Sequence, residues 1–154
     1  MQTLAGRLVF SPSDLNRFLE CEYLTRLDLE VANGRSIATH RHAEADLLAA
    51  KGEAHEQLHL ASFRQQGKGV IEIADPDRDG QWSDAAAATR NAMIAGADVV
   101  YQGVLVSDGW RGRADFLVRV DVPSALGNWS YEVWDTKLAR SAKPSHILQL
   151  AYYT

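Results

Sequence analysis

One cysteine, Cys21, in 154 residues excludes an internal disulfide framework. The opening stretch MQTLAGRLVFSPSD has neither a basic segment nor an uninterrupted apolar one, so it does not read as a secretory signal. No apolar run approaches the roughly 20 residues that a membrane helix needs. Internal repeats are absent, and the only low-complexity stretch is a short alanine run. A basic excess is also lacking, since the formal net charge is -4. These absences set the expectation of a soluble, cytoplasmic protein with no membrane partner. What is present is 46% hydrophobic residues, enough for one core and too little chain for two, so residues 1–154 are expected to form a single domain.

The charge is uneven along the chain. Residues 1–109 hold 10 Lys and Arg against 16 Asp and Glu, whereas residues 110–154 hold 6 (Arg111, Arg113, Arg119, Lys137, Arg140, Lys143) against 4. A phosphate-binding surface is therefore expected in the C-terminal third.

Periodicity and stop signals predict the elements. Ser11 as N-cap, Pro12 in the first turn and Asp14 near the positive helix end open a helix in which Leu15, Phe18, Leu19, Tyr23 and Leu27 recur at helical spacing up to Asn33-Gly34. A second helix is expected from about His42 to Gln66 with Gly67 as its stop, a strand over Gly69 to Ala74, and a third helix from Ser83 to near Gly96. The chain then becomes β-rich: DVVYQGVLV and WRGRADFLVRVDV flank Asp108-Gly109, a hairpin turn signal, and WSYEVWDTKLA follows. Pro144 starts a last helix that runs to Thr154 with no stop signal, so a piece cut from a longer protein is expected. Helices, a run of strands, then a helix is the order of an α+β domain with a largely antiparallel sheet.

Two stretches carry metal-site patterns. GEAHEQLH, from Gly52 to His59, contains H-E-x-x-H, which in zinc peptidases grips the metal with two imidazoles one turn apart and uses the Glu as base. The metzincin extension would require Gly at Ser62 and His at Gln65, and nothing marks out Glu72 as a third ligand. DPDRDGQWSDAA, from Asp75 to Ala86, begins like an EF-hand loop but has Ala86 where a bidentate Glu belongs, so a solvated turn is expected.

The β-rich part offers a different chemistry. On a strand, Tyr131, Val133, Asp135 and Lys137 would share one face and Glu132, Trp134 and Thr136 the other, with Asp135 and Lys137 about 7 Å apart by strand rise. A carboxylate and an ammonium so placed suit metal-assisted phosphodiester hydrolysis, the first holding a divalent cation and the second facing the phosphate or its attacking water. A surface ion pair is the plainer explanation. Asp115 adds a carboxylate inside the apolar run ADFLVRV, which needs a partner: a metal shared with Asp135, or a structural Arg such as Arg113.

In this order, Gly112-x-x-Asp115, Asp135-x-Lys137 and Gln149-x-x-x-Tyr153 resemble the successive motifs of the RecB-like branch of the PD-(D/E)XK nucleases. GEAHE resembles that branch's upstream G-x-x-H motif. The resemblance extends over nearly the whole chain and is nearest to the RecB-like nucleases often fused to a C-terminal helicase. It implies a restriction-endonuclease-like core, a mixed, largely antiparallel sheet flanked by helices and here cut before its last strand. It also implies Mg²⁺ or Mn²⁺ on His55, Asp115 and Asp135, Asp115, Asp135 and Lys137 as catalytic groups, and Gln149 and Tyr153 positioning DNA or the lysine. Glu132 would be no ligand. Relatives often carry a [4Fe-4S] cluster on four cysteines, so Cys21 could serve as an iron-sulfur ligand only in a longer protein; in this chain a packed helix residue is expected.

The function expected is a divalent-metal-dependent deoxyribonuclease of DNA repair or recombination. DNA, single-stranded by preference, would be its partner, with a helicase module in the same or a partner chain. The alternative is a non-catalytic nucleic-acid-binding or helicase-coupling module of the same fold, and a more distant one the zinc metalloprotease.

Overall fold

The computed structural model describes residues 1–4, 6–36, 43–76, 81–139 and 141–153. Asp77 and Asp79 of the Asp75–Ala86 turn, the predicted helix start at His42, and Arg140 lie outside them. The chain runs β1 (Gln2–Leu4), β2 (Arg7–Val9), α1 (Pro12–Glu20), α2 (Glu22–Ala32), α3 (Ala43–Gln65), β3 (Val70–Glu72), α4 (Trp82–Ile94), β4 (Val99–Ser107), β5 (Trp110–Val120), β6 (Ser130–Trp134) and α5 (Pro144–Tyr152). This is an α+β architecture around a mixed four-stranded sheet of order β3-β4-β5-β6, in which β3 and β4 are parallel and the other neighbours antiparallel.

The sheet buries both faces. On one, Leu60 and Phe63 of α3 pack against Val99, Tyr101 and Phe116; on the other, Ala85 and Ala92 of α4 pack against Val100, Val104 and Leu117. Thr89 of α4 is buried yet satisfied, donating to the Ala85 carbonyl at 3.0 Å and accepting from the Val104 N–H at 2.9 Å. Alternation along β5 breaks near Asp115. Phe116 faces Phe63 of α3 at a ring distance of 5.3 Å, whereas Ala114 lies in the α4-side cluster, against which Tyr153, at the C-terminal end of α5 and seated over Gly112, also packs. Arg111 stacks on Trp82 of α4.

The β4–β5 turn forms where Asp108 and Gly109 both take positive φ, 42° and 82°, the geometry that the Asp-Gly pair favours. Two local expectations fail. The single helix expected over Ser11 to Asn33 is two, because Cys21 is extended at φ -165° and ψ 114°. No Gly or Pro marks the break; α1 folds back on α2, and an Arg17–Asp28 ion pair of 3.0 Å joins them. Cys21 is therefore an exposed residue between helices, not a packed residue within one. The N-terminal β1–β2 hairpin was not anticipated, since strands of three residues carry no readable alternation. Its chain continues to Phe10, which bonds across to Gly109 and Arg111, and Ser11 then caps α1 with its N–H on the buried Asp14 carboxylate at 2.8 Å. No helix among the described residues is long and apolar enough to cross a membrane.

Candidate metal centre

The β5–β6 register pairs Phe116 with Trp134 and ends there. One step further along it puts Asp135 beside Asp115, where side chains of facing residues begin about 5 Å apart. The two carboxylates do interact: burial raises the Asp135 carboxyl above its ordinary range, a hydrogen bond from Lys137 opposes that, and the charge of Asp115 raises it further.

Asp135 is held from two directions. The Lys137 ammonium lies 2.9 Å from Oδ1 and 2.8 Å from Oδ2, and the Gln149 amide of α5 donates to Oδ1 at 3.0 Å. The Asp135 side chain is 4% exposed and that of Lys137 36%, so this is not the surface ion pair that a lone Asp-x-Lys would represent. Asp115 takes two hydrogen bonds on Oδ2, from the Thr136 N–H at 2.7 Å and the Thr136 hydroxyl at 2.9 Å. Arg113, the structural partner considered for it, pairs instead with Asp75 at 2.9 Å.

Thr136 was missed by sequence reasoning, and the reason is geometric. Strand alternation assigned it to the face opposite Asp135, but β6 ends at Trp134, so alternation no longer governs the three residues that follow. Glu132 lies within the strand, exposed and opposite Val118.

Tyr153 closes the arrangement. Its hydroxyl donates to the Arg113 carbonyl at 3.0 Å, and Tyr152 beside it donates to the Arg111 carbonyl at 3.2 Å. Burial pushes the Tyr153 phenol well above its ordinary value, and the charges of Asp135 and Asp115 act in the same direction, so the ring lies within electrostatic range of both carboxylates.

His55 and Glu56 stand on α3. The half-buried His55 ring meets the exposed His59 edge-on at 4.8 Å. Glu56 accepts a hydrogen bond from the Gln102 amide, and Gln57 donates to the Tyr101 hydroxyl at 2.9 Å. Burial, then a hydrogen bond to Glu56, pushes the Tyr101 phenol up to about 12. Among the described residues no three His, Cys, Asp or Glu side chains converge to hold a metal ion, so His55, Asp115 and Asp135 are not drawn together as one ligand set.

The basic excess of the C-terminal third is mostly committed to internal contacts. Arg111 is buried on Trp82, Arg113 pairs with Asp75, Arg119 stacks on Trp129 and bonds the Gly96 carbonyl, and Lys137 serves Asp135. The exposed Lys143, at the start of α5, stands outside that set. Among the described residues, the charge asymmetry is therefore taken up largely by internal contacts.

Comparison with protein-family models, with curated proteins and with solved structures yields no match to this chain.

Proposed function

We propose that this chain is a divalent-metal-dependent nuclease that hydrolyses phosphodiester bonds of DNA, with a restriction-endonuclease-like fold of the RecB type. The observation that carries the proposal is the convergence of residues far apart in sequence: Lys137 and Gln149 both hydrogen-bond Asp135, Asp115 is bonded to the adjoining Thr136 within electrostatic range of Asp135, and Tyr153 is seated on Gly112. Two adjacent carboxylates, one with its proton affinity raised by the other's charge, are a donor set that fits Mg²⁺ or Mn²⁺. Such hard cations are commonly held by one or two carboxylates, with water and substrate phosphate completing the shell. Asp115 and Asp135 would hold the ion, which supplies Lewis acidity and a water of lowered pKa. Lys137 would pass from Asp135 to the phosphate, Gln149 would orient Asp135, and Tyr153 would fix α5 on β5.

A second reading has its own support. Both oxygens of Asp135 are engaged by Lys137, which suits a non-catalytic nucleic-acid-binding or helicase-coupling module as well as a metal-free enzyme. Incubation of purified protein with end-labelled single-stranded DNA, Mn²⁺ or Mg²⁺, and an EDTA control separates the two. Metal-dependent degradation supports the nuclease; retention of the oligonucleotide without cleavage supports the module.

The zinc peptidase finds less support, because Glu56, its would-be base, already accepts from Gln102. The resemblance makes His55 a ligand that would join Asp115 and Asp135 only when the cation binds. On that reading His55→Ala is expected to lower nuclease activity sharply, while His59→Ala and Glu56→Gln, whose amide oxygen still accepts from Gln102, keep most of it. Variants matched for folding by circular dichroism would be compared in the same DNA assay. Peptidase activity lost in Glu56→Gln would overturn the nuclease assignment of this stretch.

A further inference from the structure

Gln102 has a φ of 56°, inside a strand and on a residue with a full side chain. The left-handed region is disfavoured for any residue with a Cβ, so something must hold it there. The β4–β5 register shows what the conformation does. Tyr101 pairs with Phe116 and Gly103 with Ala114, but the pair between them, Gln102 with Asp115, is missing from the ladder. The strands part at the candidate ligand. Pairing with β6 also stops just before Asp115, so this carboxylate sits where β5 is unpaired on both sides.

Side-chain direction supplies an independent observation. Val100 and Val104 point to the α4 side of the sheet, and an extended residue 102 would point there too. The Gln102 amide instead reaches Glu56 of α3, on the other side. Glu56 is a residue of the HEQLH stretch to which the nuclease resemblance gives no role.

We propose that Glu56 and Gln102 are positioning residues for Asp115: the Glu56 carboxylate holds Gln102 in the left-handed conformation that parts β4 from β5 and frees Asp115 to meet Thr136 and Asp135. The proposal rests on the assignment of Asp115 and Asp135 as a cation site. Its backbone element is measurable without any metal.

Four variants of the full chain decide it: Gln102→Gly, Gln102→Val, Glu56→Ala and the double variant Glu56→Ala/Gln102→Gly. Glycine adopts positive φ without penalty, whereas valine resists it and favours a paired strand. Amide hydrogen exchange across residues 113–117, in EDTA, is expected to match the native protein in Gln102→Gly and to slow in Gln102→Val and Glu56→Ala as the ladder closes. Mn²⁺ affinity measured by calorimetry should follow, falling about tenfold in those two, the usual cost of losing an outer-shell partner. The double variant should regain native exchange and affinity, since glycine needs no partner to keep the turn. A Glu56 that merely buttressed α3 would not be rescued by a glycine on β4. Native exchange in Glu56→Ala, or a double variant no better than Glu56→Ala alone, overturns the proposal; that pair suffices even where Gln102→Val fails to fold. Mn²⁺ binding indifferent to Asp115→Asn would instead sink the cation site, with the exchange data still judging the backbone claim.

Discussion

Asp115→Asn and Asp135→Asn are each expected to weaken Mn²⁺ binding and abolish DNA cleavage, and Asp135→Asn is expected to melt above the native protein in metal-free buffer at neutral pH. The first part follows from removing a ligand's charge while keeping its shape. A metal's stabilisation of a phosphoryl transition state is several kcal/mol, so the loss of turnover should be on the order of 10³-fold. The second part follows from the direction of the Asp135 shift. Burial and the neighbouring Asp115 charge, opposed by Lys137, leave its folded-state carboxyl above the ordinary value. The folded protein then binds this proton more tightly than the unfolded chain. Stability from this group therefore increases as pH falls from above the raised value to the ordinary carboxylate value, and is absent at neutral pH, where the ionised form carries the cost of burial. Asparagine cannot ionise and escapes that cost. Native protein should accordingly gain thermal stability on adding Mn²⁺, with neither Asn variant doing so. Lys137→Ala should leave the cation bound yet stop turnover. With its counter-charge gone, Asp135 should also need a higher pH to bind metal. Calorimetry that finds native Mn²⁺ affinity in both Asn variants would remove these carboxylates from the site, and an Asp135→Asn protein that melts below native would contradict the electrostatic argument.

Much of this arrangement was legible in the sequence wherever the determinants are local. Helix ends follow from Gly67 and Gly96, both at positive φ, and the hairpin from Asp108-Gly109. The order of helices and strands gave the α+β class, and the spacing of Asp115, Asp135 and Lys137 on successive β-runs anticipated that they would meet. What was not legible depends on contacts between distant segments. The break at Cys21 has no local breaker and is fixed by α1 packing on α2. Thr136 reaches Asp115 only because β6 stops at Trp134, and a period-two pattern does not announce its own end. The fate of the arginines is the clearest case: Arg111 and Arg119 look in sequence like candidates for phosphate, yet they stack on Trp82 and Trp129, aromatic partners 29 and 10 residues away in the chain. Gln102 carried no sequence signal at all, since positive φ in a strand is expected of Gly or Asn and the residue holding it is on another element.

Gly112→Ala should be among the most damaging small substitutions in the chain. Gly112 has no positive φ, so an alanine backbone fits and the argument is one of space alone. A Cβ at this position would lie 2.4 Å from Tyr153 Cε1, 2.8 Å from its hydroxyl and 3.0 Å from Cζ. The ring has little freedom to retreat. Its hydroxyl is bonded to the Arg113 carbonyl on the same strand, and its other side meets Tyr152, which in turn meets Trp110. The added methyl must therefore push the end of α5 away from β5. Overpacking of this kind costs about 1–3 kcal/mol. Gln149 lies one turn before Tyr153 on the same helix, so the displacement also draws its amide off Asp135, leaving Lys137 as that carboxylate's remaining partner among the described residues. Stability and metal-dependent cleavage should fall together in Gly112→Ala. Tyr153→Phe, which keeps the ring but loses one hydrogen bond, should cost only about 1 kcal/mol. The decisive comparison is a double-mutant cycle with Tyr153→Leu, whose shorter side chain leaves room for the methyl. Gly112→Ala/Tyr153→Leu should be less destabilised than the two single changes added together. Additive losses, or a Gly112→Ala protein that melts and cleaves as the native one does, would mean that Tyr153 is not what the glycine makes room for, and that the Gly112-x-x-Asp115 pattern owes nothing to the seating of α5.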